Sequence, residues 1–267
     1  MRIFTISDLH VDYPENLSWA LELSRAEYAN DVLILPGDVS DDLDLLTRVL
    51  EHLRDTFAKV FFVPGNHELW IDRDHHDCSL EKFEAILALC EQLEIHTQPA
   101  VVDKVTIVPM FSWYDFSFGE PDAYLRRAWR DFKACRWPPH LPDNSAISEY
   151  FLSLNDKNLG LSGEHVISFS HFLPRIDVMP DRIPEQKRKV YPVLGGDGLG
   201  DQVRQLGPDV HVYGHSHVNR DVVVEGVRYV NNAFAYPSEQ RIARKALHCV
   251  YAAANQADSK ELSTGTG

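Results

Sequence analysis

Ile3-Phe4-Thr5-Ile6-Ser7-Asp8-Leu9-His10, Val32-Leu33-Ile34-Leu35-Pro36-Gly37-Asp38 and Val60-Phe61-Phe62-Val63-Pro64-Gly65-Asn66-His67-Glu68 repeat one pattern, a short apolar run that ends in a polar tip. Between them, Leu17 to Ala29 and Leu43 to Phe57 read as helices. Short β-branched runs alternating with helical stretches predict βαβ units with buried parallel strands. In open α/β sheets ligands gather outside the carboxyl ends of the strands, so three polar tips in succession point at one crevice.

Further along, Ser79 to Leu93 reads as an amphipathic helix and Val101 to Met110 as one or two strands. From Phe111 to about Pro142 the texture changes: Trp113, Tyr114, Phe116, Phe118, Tyr124, Trp129, Phe132 and Trp137 interleave with Arg126, Arg127, Arg130 and Arg136. This predicts an insertion packed over the sheet. A strand from His165 to Phe169 delivers Ser170-His171, and Val210 to Tyr213 delivers Gly214-His215-Ser216-His217. Arg182 to Asp201, dense in Lys, Arg, Pro and Gly, is expected to be a long surface loop. Val222 to Val224, Val227 to Val230 and Ala246 to Ala252 are read as antiparallel strands. The expectation is one α/β domain over residues 1–254, with the insertion at about 111–160, and a small, polar, disordered tail over 255–267.

Composition narrows the function. With 26 Lys and Arg against 40 Asp and Glu, the 267-residue chain carries a formal charge of −14. That disfavours extended nucleic-acid binding, which needs a basic face. No apolar run is long enough to cross a bilayer, so no membrane association is expected. Met1-Arg2-Ile3 leads into an apolar segment without the succession of a secretory signal. Cys78, Cys90, Cys135 and Cys249 form no paired motif. A cytoplasmic, reducing location is expected.

Together the tips read D-x-H, G-D, G-N-H-E, a His after a strand, and G-H-x-H. Carboxylate and imidazole donors with one amide oxygen suit borderline divalent ions such as Mn²⁺, Fe²⁺ or Zn²⁺ better than Ca²⁺. One bridging carboxylate with donors on either side would hold two cations ~3.5–4 Å apart, a spacing that clamps in-line displacement at phosphorus. Any one of these motifs alone is weak. Five in order, each after a strand, are not. Asp12, His75, His76, Asp77, His96, His140 and His165 fit no such pattern and are read as ordinary surface or core residues.

The set resembles the calcineurin-like metallophosphoesterase superfamily, from Ile3 to about Pro237, with the segment around Phe111 to Asp143 outside the likeness. The resemblance implies a two-sheet αββα sandwich, mixed β-sheets flanked by helices, carrying an aromatic and Arg-rich helical insertion. It implies two divalent transition-metal ions, with Mn²⁺ expected and Fe, Zn, Co or Ni as alternatives. Asp8, His10 and His217 would hold the first, Asn66, His171 and His215 the second, and Asp38 would bridge them. A phosphate ester would be attacked in line by metal-bound hydroxide. The resemblance makes His67 the residue that stabilises the transition state or protonates the leaving oxygen.

Glu68 or Asp41 is read as orienting His67, although Asp41 and Asp42 most simply begin the next helix. Arg127 and Arg130 of the insertion, and Arg175 beyond His171, are candidates to bind substrate. The expected activity is phosphomonoesterase or phosphodiesterase on a small phosphorylated metabolite or nucleotide. The alternatives are a protein Ser/Thr phosphatase and a non-catalytic metal-binding scaffold. A scaffold predicts missing ligands, and none is missing.

Overall fold

Strand β1 (Arg2–Thr5) opens the chain and pairs parallel with β2 (Val32–Pro36), which pairs parallel with β3 (Lys59–Val63). The connections are helical: α1 (Pro14–Leu21), α2 (Arg25–Tyr28) and α3 (Leu43–Thr56). The expected single helix over Leu17 to Ala29 is two, because α1 stops at Leu21 and Ser24 caps α2 by accepting from the Glu27 amide. Asp42 caps α3 through the Asp44 and Leu45 amides, and Leu46, Val49, Leu50 and Leu53 form its buried stripe. Helix α4 (Ser79–Gln92) follows, then the hairpin of β4 (Ala100–Val102) and β5 (Val105–Pro109).

The connection from β5 to the next core strand holds α5 (Ala123–Ala128), α6 (Asp131–Ala134) and α7 (Asn144–Ser153). Then come β6 (His165–Ser170), α8 (Asp197–Leu206), β7 (Val210–Tyr213), β8 (Arg220–Val224), β9 (Val227–Asn231) and β10 (His248–Ala252). The computed structural model describes residues 1–73 and 75–253, so the tail expected at 255–267 lies outside the described residues.

The strands form two mixed sheets, β10-β1-β2-β3 and β4-β5-β6-β7-β9-β8. Strands β5, β6, β7 and β9 run parallel, while β4, β8 and β10 pair antiparallel with their neighbours. Alternation along each strand divides the core. Ile3, Val32, Ile34, Phe61 and Val63 face Val105, Ile107, Ile167, Phe169 and Val212 between the sheets. Phe4, Leu33, Leu35 and Phe62 turn outward onto Leu46, Leu50 and Leu53 of α3 and Ile86 of α4. On the far side, Val108, Val166 and Tyr229 pack against Leu199, Val203 and Leu206 of α8. This is the αββα order.

Arg182 to Asp201 is a surface segment only in its first half, where Arg182 to Lys189 are mostly exposed, and it is not irregular. A 3₁₀ run spans Glu185–Val193, Val193 and Leu194 are buried, and α8 begins at Asp197. Gly195 explains part of the misreading: it lies so close to Leu173 that any side chain there would overlap the Leu173 carbonyl, and the Leu173 amide donates to Leu194 at 2.9 Å. Its glycine marks a close backbone approach rather than a turn.

Candidate functional site

The carboxyl ends of β1, β2 and β3 lie opposite those of β6 and β7, and there the proposed ligands meet. Asp8, His10 and His217 place donor atoms within 4.8 Å of one another, as do Asp38, His171 and His215, and as do His10, Asp38 and His67. Asp38 belongs to two of these groups and joins the halves. The Asn66 Oδ1 lies 3.0 Å from His171 Nε2.

Five of these residues have left-handed backbone: Asp8 (φ 52°), His10 (43°), Asp38 (56°), His215 (66°) and His217 (53°). Each such conformation costs about 1–3 kcal/mol and persists only where neighbours enforce it. Here the enforcers are visible. The Asp8 amide donates to Gly37 O at 3.0 Å and the His10 amide to Asp38 O at 3.0 Å. Asn16 Nδ2 ties Leu9 O (2.7 Å) to Ala235 O (3.0 Å). Asn231 Nδ2 reaches Tyr213 O (3.1 Å) and Gly214 O (2.9 Å) from behind.

The histidine tautomers suit metal binding. His171 Nδ1 meets Pro36 O at 2.9 Å, His215 Nε2 meets Val193 O at 3.0 Å, and His217 Nδ1 meets Glu239 at 2.7 Å. In the neutral rings of His171 and His215, an outer N–H held by an oxygen turns the other nitrogen inward as a lone pair. Burial opposes protonation of His217, but hydrogen bonds and charge from Asp8 and Glu239 overcome it and raise this ring to about 9, so it holds a second proton that a cation would displace. His171 Nε2 and His215 Nδ1 face each other at 3.0 Å, and His217 Nε2 lies 3.1 Å from His10 Nε2, although His10 Nδ1 is buried without a hydrogen-bond partner among the described residues. Burial holds His10, His171 and His215 below the usual imidazole range, so these rings are neutral. Burial together with the charges of Glu68 and Asp8 pushes Asp38 well up, effects that a cation against Asp38 would offset. Burial also opposes ionisation of Asp8, yet hydrogen bonding and charge from His217, with help from His171 and Ser7, bring it down to about 2. The donor set fits divalent metal.

His67 stands beside this group, with Nε2 3.8 Å from Asp38 Oδ2, its amide donating to Asp38 Oδ1 at 3.0 Å, and its ring 3.6 Å from that of Trp70. Neither expected partner orients it. Glu68 is fully buried and accepts from the amides of Asp38 (2.8 Å), Val39 (2.6 Å), Ser40 (3.1 Å) and Gly65 (2.7 Å), clamping two ligand loops together. Asp41 is also buried, but it pairs with Arg73 at 3.1 Å and Arg130 at 3.7 Å beside Asp12, and burial and Asp12 push it up to about 7. Of the two aspartates expected to begin α3, only Asp42 caps it.

Two cavities flank His67. One, of about 360 Å³, is lined by Asp38, Asn66, Trp129, Val190, Leu194, His215, His217 and Glu239. The other, of about 410 Å³, is lined by His10, Asp12, Tyr13, Asp41 and Arg73. His67, Trp70, Arg130 and Tyr236 line both. A groove of about 670 Å³ near Lys59 and His96 lies at the opposite ends of the strands, away from the ligands.

Of the arginines, Arg130 lies at the site, 4.3 Å over the Trp70 ring. Arg127 is exposed on α5 and lines neither cavity. Arg175 lines neither cavity, and its partly buried guanidinium is paired with Asp177 (2.6 Å) and Glu225 (2.6 Å). Sequence reasoning missed Asn16, Asp131 and Glu239, which hold ligands or ligand loops. Asp131 lies inside the aromatic segment, whose tryptophans were the available signal.

Comparison with known proteins shows the family and the fold. A family model described as calcineurin-like phosphoesterase matches residues 1–219. The chain is 25% identical over 279 residues to the acyl-carrier-protein phosphodiesterase PptH of Mycobacterium tuberculosis, covering 90% of this chain and 79% of that protein. It also resembles the crystal structure of phosphopantetheinyl hydrolase (PptH) from Mycobacterium tuberculosis, with a TM-score of 0.80 and 27% identity over 95% of this chain and 98% of that one.

Proposed function

Because the chain belongs to the calcineurin-like phosphoesterase family and is a metallophosphoesterase, we propose that Asp8, His10 and His217 hold one divalent cation, Asn66, His171 and His215 a second, and that Asp38 bridges them. The observation that carries this is the facing pairs of imidazole nitrogens, with outer N–H groups already held by Pro36, Val193 and Glu239. Nitrogen and oxygen donors without thiolate support Mn²⁺, with Fe, Zn, Co or Ni as alternatives. When bound, two such cations neutralise the ester oxygens and bring the pKa of a water toward ~7, which supplies the nucleophile.

The chain's own residues do the rest. His67, kept neutral by burial, offers an N–H to the departing oxygen, and its contact with Trp70 fixes the ring plane. Arg130 lines the wall shared by the two cavities, where its guanidinium pairs with Asp72 at 2.9 Å and lies 3.7 Å from Asp41, so a phosphate there would compete with these carboxylates for it. Glu239 holds the tautomer of His217.

Cavities on both sides of His67 favour a phosphodiester, one substituent on each side; a monoester would leave one side unfilled. The relative PptH, named for hydrolysis at an acyl carrier protein, supports the same class, and a phosphopantetheinyl group on a carrier protein is the first substrate to test. This replaces the small metabolite or nucleotide as the leading choice. Among the described residues no helix is long and apolar enough to cross a membrane. The four cysteines are free, which supports a cytoplasmic setting.

The test is hydrolysis of bis-p-nitrophenyl phosphate, p-nitrophenyl phosphate and a phosphopantetheinylated carrier protein by the Mn²⁺-loaded protein. Diesters should be cut with the higher kcat/KM, and Asp38→Ala and His171→Ala should each lose more than about a hundredfold. Preference for the monoester would refute the diester assignment, and full activity of either variant would refute the metal assignment.

A further inference from the structure

We infer that Asp131, in the connection between β5 and β6, is a positioning residue for the second cation site and decides which end of the Asn66 amide faces the metal. The inference rests on the assignment of Asn66 as a ligand. Asp131 is 3% exposed. Its Oδ1 accepts from Asn66 Nδ2 (2.9 Å) and Trp70 Nε1 (2.7 Å), and its Oδ2 accepts from Trp129 Nε1 (2.7 Å) and Tyr114 Oη (3.1 Å). Four uncharged donors thus satisfy one buried carboxylate.

The two ends of an asparagine amide are nearly the same shape, but only the oxygen can bind a cation. With Nδ2 tied to Asp131, Oδ1 turns toward His171 Nε2 at 3.0 Å. Without the carboxylate either end is free to face inward, and the NH₂ group would displace the cation. The same carboxylate holds Trp70, whose ring lies 3.6 Å from that of His67 and tilted 31° to it, and Trp129, whose ring stands edge-on to that of His215 at 5.9 Å. One anchor from the aromatic segment therefore sets a ligand and two walls of the site.

The experiment counts metal. Mn²⁺ equivalents and affinities are measured by titration calorimetry and elemental analysis for the wild type, Asp131→Leu, Asn66→Ala and the double variant, with circular dichroism and the melting temperature of the metal-free protein as checks on folding. Leucine is chosen because asparagine would keep an acceptor oxygen for Asn66. The wild type should bind two equivalents. Asp131→Leu should retain the tighter one and weaken the other by about 10–100-fold, the usual effect of losing a group that orients a ligand. In the Asn66→Ala background, Asp131→Leu should change nothing further. Equal weakening of both equivalents, no change in either, or additive effects would overturn the inference, whereas a wild type that binds fewer than two equivalents would refute the two-cation assignment instead.

A swapped pair keeps the question open to refutation if Asp131→Leu misfolds. Asn66→Asp combined with Asp131→Asn reverses donor and acceptor between the two positions and leaves a carboxylate oxygen toward the metal. It should bind the second equivalent more tightly than Asn66→Asp alone, in which two carboxylates meet. Failure to do so would overturn the inference.

Discussion

Replacing Glu68 by Gln tests whether this residue is a clamp on the ligand loops or a partner of His67. The side chain is nearly isosteric, so packing is kept and hydrogen bonding changes. Oε1 serves the amides of Val39 and Ser40, and Oε2 serves those of Asp38 and Gly65. A glutamine has one acceptor oxygen, which can keep one of these pairs. Its NH₂ would face the other pair and leave two buried N–H groups without acceptors. At about 1–3 kcal/mol for each unsatisfied donor, the loss is about 2–6 kcal/mol. A typical domain has only about 5–15 kcal/mol of stability, so this is a large share.

Urea denaturation of the metal-free protein measures the loss directly, since the midpoint falls while the slope is unchanged. Relief by repacking is limited because Gly65 and Gly37 are already in contact range: a side chain on Gly65 would overlap the Asp38 carboxylate. The Mn²⁺ affinity should fall as well, because both loops carry proposed ligands. A loss below about 1 kcal/mol, within the range of one ordinary hydrogen bond, would refute the clamp. A shifted pH–rate profile with unchanged stability would instead restore Glu68 as the partner of His67.

Two further expectations concern residues whose placement differs from the sequence reading. Burial and Asp12 raise Asp41 to about 7, so the folded protein binds its proton more tightly than the unfolded chain, whose carboxyl titrates near ~3.9. The associated stability is fully present below about pH 4 and is lost as pH rises through about 7, so the melting temperature of Asp41→Asn should fall less than that of the wild type across this window; parallel curves would show that Asp41 does not titrate there. Arg175→Ala should leave KM for every phosphodiester unchanged and cost about 1–3 kcal/mol of stability, because its partly buried side chain bonds Asp177 through two nitrogens, Glu225 through a third, and lies over Tyr229. A raised KM would return Arg175 to the substrate site.

The parallel strands and their tips were legible because buried parallel strands are continuous apolar runs, and a run that ends in Gly-Asp or Gly-Asn-His announces where it stops. The proposed ligands could be found one by one for the same reason. What holds them was not legible, for it follows no period. Asp131 lies 65 residues from Asn66, and only the fold brings them together. The support for His215 is the Val193 carbonyl, which belongs to the backbone and leaves no mark in side-chain chemistry. Glu68 sat in plain view within G-N-H-E, yet its work on four amides depends on two loops meeting. Arg182 to Asp201 looked like a loop because Lys, Arg, Pro and Gly crowd it; its first half is exposed as expected, but Gly195 serves a close approach to Leu173 that composition does not reveal. Arg175 is near His171 in sequence, but its guanidinium finds Asp177 and Glu225 instead.

Asp8, His10, Asp38 and Asn66 follow strands of the four-stranded sheet, while His171, His215 and His217 follow strands of the six-stranded one. Neither group alone completes either proposed cation site. During synthesis Asp8, His10, Asp38 and Asn66 emerge long before His171, His215 and His217, and a copy damaged in either sheet has no full set to offer. Under this assignment neither cation site is complete until both sheets have formed and met.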